Sequence, residues 1–129
     1  MISRDDIERQ VTYWSATAAE DLASGELLLR NGHARQGLFF VHLALEKLLK
    51  AHVTRAIKDV APRTHSLRRL AELSELALSD EMRNVVSDMD RFSLVGRYPD
   101  ELNQSMSVRT AELRLCRAAE VFQWLKTRL

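Results

Sequence analysis

The sequence predicts an all-α protein, an up-and-down four-helix bundle with one additional short helix, five helices in total. The 129 residues include only two prolines and four glycines, so the chain has few of the residues that end helices or form tight turns. Apolar side chains recur at spacings of three and four through most of the chain, which is typical of helices with a buried face. A hydrophobic fraction of 46% and a charged fraction of 29% indicate a globular chain, and we expect one domain over residues 1–129.

The first helix is predicted over residues 5–30, because Ser3 suits an N-cap and acidic residues fill the following turn. Asp21 lies beside its apolar stripe, and a buried carboxylate is costly without a partner. We therefore expect a structural ion pair between Asp21 and either Lys47 or Lys50 of the second helix. The stripe itself consists of Ile7, Val11, Trp14, Ala18, Leu22 and Leu29.

The second helix is predicted over residues 33–58, after an Asn31-Gly32 stop that leaves room only for a tight antiparallel return. Apolar residues occupy two of its sides, which indicates that more than one neighbour buries it. One sector contains Leu38, Val41, Leu45, Leu48, Leu49 and Ala56, and a second contains Phe40, Ala44 and Ala51. The remaining side is a charged stripe, which we expect to face a groove and to carry function. It consists of Arg35, His42, Glu46 and Lys50, with Phe39 and Leu43 interleaved.

Two shorter helices should follow a break at Pro62. Thr64 or Ser66 would cap the third helix, which we expect to end near Ala77. Ser79 would cap the fourth, with acidic residues in its first turn. The inward-facing residues of the fourth helix would be Met82, Val85, Val86 and Met89.

One long connection, residues 91–106, precedes a last helix predicted over residues 107–128. Long ordered loops in small bundles often carry function. Tyr98 could stack on a base while Arg97 contacts a phosphate; alternatively Tyr98 plugs the end of the bundle and Arg97 pairs with an acid. The last helix should bury Val108, Ala111, Leu115, Ala118, Phe122 and Leu125.

Charge is distributed unevenly along the chain although the net charge is only +1. Residues 30–69 contain nine Lys/Arg and two acidic residues, together with all four histidines. Such a basic segment in an otherwise acidic chain favours an anionic partner such as nucleic acid, a nucleotide or an acidic protein face. The alternative is that these charges pair with the neighbouring acidic helices.

Cysteine content and hydropathy indicate a cytoplasmic protein without a membrane segment. The single Cys116 excludes an internal disulfide framework, fits a reducing compartment and has no sequence neighbour that would make it reactive. Charged residues interrupt the N-terminal region, which argues against a signal peptide. No apolar run approaches the roughly eighteen residues that a membrane span needs.

Several short motifs together resemble a HEPN ("higher eukaryotes and prokaryotes nucleotide-binding") domain across residues 10–125. The resemblance implies an all-helical bundle that is usually dimeric and is often encoded beside a small nucleotidyltransferase, in modules that behave like toxin and antitoxin. RNA cleavage occurs in some branches. The residues that carry the resemblance are Trp14, Ala18, Asp21-Leu22, Gly37-Leu38-Phe39, Ala44-Leu45-Glu46-Lys47-Leu48-Leu49-Lys50-Ala51, Thr64-His65-Ser66-Leu67 and Arg97-Tyr98-Pro99.

The RNA-cleaving branches carry an Arg-x4-6-His motif near the start of a late helix. This chain has no histidine after His65, which argues against ribonuclease activity. Arg35 and His42 match the spacing formally, but they lie on the second helix. A metal-independent ribonuclease using this pair is therefore the enzyme alternative, with histidine handling the proton and arginine stabilising phosphate charge.

No metal or cofactor is expected. His42 and Glu46, four residues apart, could supply two ligands, but no third ligand has suitable spacing, and no glycine-rich phosphate-binding motif occurs. Near the start of the third helix, His65 could bind an anion or make a local backbone hydrogen bond. Lys47 and Lys50 could reach phosphates or anchor the first two helices to each other.

We expect a homodimeric module that binds a nucleotide or RNA and works with a nucleotidyltransferase. The candidate ligand-binding residues are Arg35, His42, Lys50, Arg97 and Tyr98. A third hypothesis is a protein-interaction module without a nucleic-acid ligand, which would contact its partner through Phe39, Leu43 and their neighbours.

Overall fold

A computed structural model describes residues 1–93 and 106–129. Within these ranges the chain forms five α-helices and one 3-10 turn, and no strand occurs there. The predicted all-α class is confirmed, with the seven-residue α3 as the short helix. The elements are α1 (Arg4–Arg30), α2 (Ala34–Ile57), α3 (Leu67–Leu73), α4 (Asp80–Met89), the 3-10 turn (Asp90–Phe92) and α5 (Val108–Thr127).

Four of the helices are preceded by a serine N-cap whose hydroxyl accepts a hydrogen bond from a backbone N–H three residues later. These serines are Ser3, Ser66, Ser79 and Ser107, with N···O distances of 3.1 to 3.2 Å. Each bond satisfies one of the donors that a helix leaves open at its first turn. The serine caps predicted for the first, third and fourth helices are confirmed, and the last helix starts one residue after Ser107.

Helix α3 is shorter than predicted, because it ends at Leu73 and not near Ala77. The hydroxyl of Ser74 donates to the carbonyl of Ala71 at 2.6 Å and accepts from the N–H of Leu76 at 3.3 Å. Glu75 then adopts a left-handed conformation with φ of 61°. A serine that bonds to nearby backbone groups competes with helical hydrogen bonding, so the helix stops there.

The backbones of α1 and α2 come close to each other at two glycines. A Cβ atom added to Gly25 would lie 2.7 Å from the carbonyl oxygen of Gly37, and one added to Gly37 would lie 2.8 Å from that of Gly25. Gly32 connects the two helices with φ of 85°, which glycine adopts without strain. The helices can therefore cross at this distance only because both positions lack a side chain.

Helix α2 is the centre of the core, since α1, α3, α5 and the 3-10 turn all contact it. Its predicted apolar sector is buried, apart from the half-buried Ala56. His52, also buried, donates from Nε2 to the carbonyl oxygen of Leu125 at 2.8 Å. Burial lowers the pKa of His52, more than that carbonyl offsets, so the ring is neutral and ties α2 to α5.

The prediction that Val108 is buried is wrong, because its side chain is 68% exposed. Val108 is the first residue of α5, and burial in that helix begins at Ala111. Met82, Val85 and Leu115, which were also predicted to face inward, are partly buried against the core. In the described part of the chain, no helix combines the length and the hydropathy that crossing a membrane requires.

Candidate functional site

The charged stripe of α2 points into the protein and not into a groove. The exposed fractions of His42, Glu46 and Lys50 are 1%, 4% and 7%, so the expectation of an open stripe is wrong for these three residues. The physical reason is that α3 and the 3-10 turn contact α2 in addition to α1 and α5. Arg35, two turns before the buried part of the stripe, is half-buried.

Lys50, Glu46 and His65 form a connected charged group. Lys50 Nζ donates to Glu46 Oε2 at 3.1 Å, and Nδ1 of His65 lies 3.2 and 3.3 Å from the two carboxylate oxygens of Glu46. Trp14 of α1 lies against the lysine, with its ring centroid 5.3 Å from Nζ. The His65 side chain is 49% exposed, so it is the member of this group that an external ligand can reach.

His42 lies between two carboxylates, with Nδ1 3.9 Å from Glu46 Oε1 and Nε2 3.6 Å from Asp90 Oδ1. Both distances exceed that of a hydrogen bond, and neither ring nitrogen has a hydrogen-bond partner among the described residues. Because the side chain is 1% exposed, His42 cannot touch an external ligand in this conformation. The arrangement does not support the ribonuclease alternative that pairs Arg35 with His42.

Asp90 fixes the start of α3. Its carboxylate accepts from the backbone N–H of Leu67 at 2.7 Å and from that of Arg68 at 3.2 Å, the first two N–H groups of the helix. Burial alone would raise the pKa of Asp90, but the facing His42 ring and the two N–H groups outweigh it and lower the pKa. The segment that carries His65 is therefore held by α2 through Glu46 and by the 3-10 turn through Asp90.

Replacing Asp90 by asparagine should lower the free energy of unfolding by about 1 to 2 kcal/mol at neutral pH, because a charged acceptor at a helix start is lost. Since the pKa of Asp90 is lower in the folded chain, its contribution is present above about pH 4 and is lost as the pH falls through the folded-state value. Urea unfolding at several pH values should show the two proteins converging in acid. The exposed Glu20→Gln variant, in the middle of α1, is the control, and a difference that persists undiminished in acid would contradict this assignment.

Asp21 and Lys47 form the ion pair between α1 and α2, with Nζ 2.6 Å from Oδ2. Lys47 and Lys50 were predicted as alternative partners of Asp21. In the structure Lys47 is the partner, and Lys50 pairs with Glu46. Both lysines are thus engaged inside the protein. They support the packing of α2 and do not face a phosphate.

The exposed positive charges of this region lie around the start of α3. Arg63 and Arg68 are exposed, and within residues 1–93 and 106–129 neither forms an ion pair. Arg69 is also exposed, but its guanidinium lies 3.4 Å from the carboxylate of Glu72. These arginines fall in the basic segment of residues 30–69, but they were not among the binding residues predicted from the sequence. The signal that could have found them is the density of basic groups around one helix cap, residues 63–69.

Four further candidate residues were predicted from the sequence. Arg97 and Tyr98 lie outside the described residues. Phe39 and Leu43 are partly buried, and the Phe39 ring contacts that of Phe40 at a centroid distance of 5.6 Å. Among the side chains that the structure describes, no three of His, Cys, Asp or Glu converge as metal ligands.

Comparison with known families gives a match over most of the chain. The HEPN domain model matches residues 11–128, which is most of the chain and includes both the charged group on α2 and the basic residues around α3. A comparison with curated protein sequences finds no match.

Two solved structures share the fold. An archaeal HEPN homologue, ST0689, superimposes with a TM-score of 0.72 at 17% identity, covering 92% of this chain and 96% of that one. TT1696 from Thermus thermophilus superimposes with a TM-score of 0.76 at 19% identity, covering 93% of this chain and 98% of that one. At such low identity the likeness concerns the arrangement of helices and not the ligand.

Proposed function

The chain belongs to the HEPN domain family, and on that premise we propose that it is a HEPN module that binds the phosphates of RNA or of a nucleotide without cleaving them. We further propose that it acts as a homodimer beside a small nucleotidyltransferase, in a system of the toxin–antitoxin type. The binding surface is the basic surface, by which we mean Arg63, His65 and Arg68.

One observation supports this surface above the others: a half-exposed histidine is held against a buried carboxylate, and two exposed arginines lie within three residues of it in the chain. His65 contacts Glu46 through Nδ1, whereas Arg63 and Arg68 make no ion pair with any described residue. Guanidinium groups bind phosphate oxygens through paired N–H donors, and imidazolium adds a further donor. Unpaired cations concentrated around one helix start are typical of phosphate recognition.

The basic surface is also anchored before any ligand arrives. Glu46 holds the ring of His65, and Asp90 holds the first turn of α3 through the N–H groups of Leu67 and Arg68. A binding surface that is already ordered loses less conformational freedom on binding. The buried stripe of α2 therefore serves as support for the ligand-binding residues.

Replacing Arg63 and Arg68 together by alanine should weaken binding of a short fluorescent oligoribonucleotide by about tenfold or more at low salt. The dependence of log affinity on log salt should also become shallower, by about 0.7 for each lost contact with single-stranded RNA. Fluorescence anisotropy at several salt concentrations measures both quantities. A mononucleotide measured in parallel shows whether one phosphate suffices.

The matched control replaces Arg4 and Arg117 by alanine. Both are exposed and form no ion pair with a described residue. This variant changes the net charge equally, so it should leave most of the affinity intact. Equal losses in the two double variants would show that general charge and not the basic surface drives binding. Incubating the RNA with the protein in EDTA should leave the RNA intact; cleavage would favour the enzyme alternative.

The homodimer and the nucleotidyltransferase partner are proposed from the family and need their own test. Exposed apolar side chains on α1, Tyr13 at 59% and Leu27 at 57%, offer one place for protein contact. Light scattering over a range of protein concentrations measures the molar mass and so shows whether a dimer forms. Co-expression with the product of an adjacent gene measures the partner, and a complex that forms while RNA binding is absent would favour the protein-interaction alternative.

A further inference from the structure

We infer that a cavity between α3 and α4 receives one unstacked base of the bound ribonucleotide, so that the chain binds single-stranded RNA or a mononucleotide and discriminates against duplex RNA. This inference rests on the proposed function and adds to it a base-binding site beside the basic surface. The α3–α4 cavity is lined by residues of α3, of the connection 74–79 and of α4. Its volume of about 510 Å³ lies within the range of about 300 to 1,000 Å³ that is typical of small-molecule sites.

The floor of the α3–α4 cavity is apolar. Leu76 and Leu78 of the connection line it together with Val86 of α4. Leu78 and Val86 are only 6% and 1% exposed, and Leu76 is partly buried against the core, so the packing of the protein holds these side chains in place. A recessed apolar surface suits a flat ring, and every nucleobase presents such a face whatever its sequence.

The rim of the cavity is charged. Arg68 of α3 and Arg83 of α4 are exposed, and neither forms an ion pair within the described part of the chain. Two carboxylates also lie at the rim, but Glu72 pairs with Arg69 at 3.4 Å, which leaves Glu75. The rim therefore offers two guanidinium groups to an anion and one carboxylate to hydroxyl or amino donors. A ribonucleotide carries both kinds of group, in its phosphate and in its sugar or base.

Arg68 connects the cavity to the basic surface, because it belongs to both. Arg63 and His65 precede it on the same short segment. A strand whose phosphates contact the basic surface therefore brings a neighbouring base to the rim of the cavity. In a duplex that base is paired and stacked, and it has to leave the helix before it can enter a pocket. A single strand or a mononucleotide offers the base without this cost.

The first test compares a short single-stranded oligoribonucleotide with a blunt duplex of the same sequence, by fluorescence anisotropy with the full chain at low salt. The parent should bind the single strand about tenfold more tightly, because only its bases can enter the cavity. A surface that recognised phosphates alone should prefer the duplex, whose charge density is higher. The two explanations therefore predict preferences of opposite sign.

A double variant addresses the cavity itself. Ala71 of α3 and Ser87 of α4 both line it, so Ala71→Leu/Ser87→Leu should narrow the space for the base without adding an aromatic ring on which a base could stack. Affinity for the single strand should fall about tenfold, and affinity for the duplex should change less than about twofold. Ala19→Leu/Ser24→Leu, at two exposed positions of α1, is the matched control and should behave like the parent.

Arg83→Ala tests the rim without altering the basic surface. It should weaken binding of the single strand about fivefold, because one of the two guanidinium groups at the rim is lost. Arg117→Ala, which removes an exposed arginine without an ion pair to a described residue, is its control. Thermal melting checks that each variant is folded, and if the double leucine variant is not, Arg83→Ala decides in its place.

Competition against the labelled single strand separates the base from the phosphate. Adenosine monophosphate and ribose 5-phosphate share the sugar and the phosphate and differ only in the base. Adenosine monophosphate should compete at about tenfold lower concentration. It should also shift the NMR signals of the methyl groups of Leu76, Leu78 and Val86, which form the floor.

The outcomes separate this inference from the proposed function. If RNA binds but the duplex binds as tightly as the single strand, or if ribose 5-phosphate competes as well as adenosine monophosphate, the inference is overturned while the proposed function stands. A double leucine variant that is folded and keeps the affinity of the parent for the single strand also overturns the inference. If the parent binds neither the oligoribonucleotide nor a mononucleotide at low salt, the proposed function itself fails.

Discussion

Replacing Gly37 by alanine should lower the free energy of unfolding by about 3 kcal/mol, although alanine is the better helix former. The new Cβ atom would lie 2.8 Å from the carbonyl oxygen of Gly25 and 3.1 Å from the side chain of Leu29. The side chain of Leu29 can turn away, but the carbonyl belongs to the backbone of α1. Helices α1 and α2 would have to move apart, and the side chains that pack on both sides of α2 would lose contacts.

The sign of the change in the free energy of unfolding distinguishes these glycines from ordinary helical ones. At an unconstrained position inside a helix, glycine to alanine should stabilise by about 0.5 to 1 kcal/mol. Gly25→Ala should behave like Gly37→Ala, since its Cβ atom would lie 2.7 Å from the carbonyl oxygen of Gly37. The exposed Ser24→Ala variant on α1 is the control. Urea unfolding followed by circular dichroism measures all three, and unchanged or increased stability in Gly37→Ala would mean that the helices do not cross at these glycines.

The helices could be predicted largely from local chemistry. Serine hydroxyls that cap α1, α3, α4 and α5 act within three residues, so their effect is visible in the sequence. The end of α3 was missed although Ser74 and Glu75 are also local, because a serine inside an apolar pattern has several possible hydrogen-bond partners. The glycine contact could not be predicted, since nothing in the sequence gives the point at which two helices cross.

The candidate site shows a different limit of prediction from the sequence. His42, Glu46 and Lys50 follow one another at intervals of four, and such a polar row is equally typical of a solvent-facing stripe and of a buried network. What decides between them is whether other elements cover the row, and here the start of α3 and the 3-10 turn do. The contact between His65 and Glu46 joins residues nineteen positions apart, so it depends on the tertiary fold.

Glu46→Gln should cost about 3 kcal/mol of stability at neutral pH, whereas Lys50→Met should cost only about 1 kcal/mol. Removing the carboxylate leaves the ammonium of Lys50 buried without a counter-charge, at a site where its side chain is 9% exposed. Removing the ammonium leaves Glu46 with a second partner, because Nδ1 of His65 lies 3.2 Å away and can donate a hydrogen bond to the carboxylate. Methionine also retains apolar contact with the ring of Trp14, against which Lys50 packs.

The double variant Glu46→Gln/Lys50→Met completes a cycle that measures the pair. Because it removes both buried charges together, it should recover about 2 kcal/mol of the loss in Glu46→Gln, close to the level of Lys50→Met alone. Equal costs for the two single variants would mean that His65 does not compensate Glu46. The carboxylate would then stabilise only the lysine, and the contact between Glu46 and His65 would add nothing to the stability of the fold. Urea unfolding therefore tests the contact between His65 and Glu46 by a route that needs no ligand.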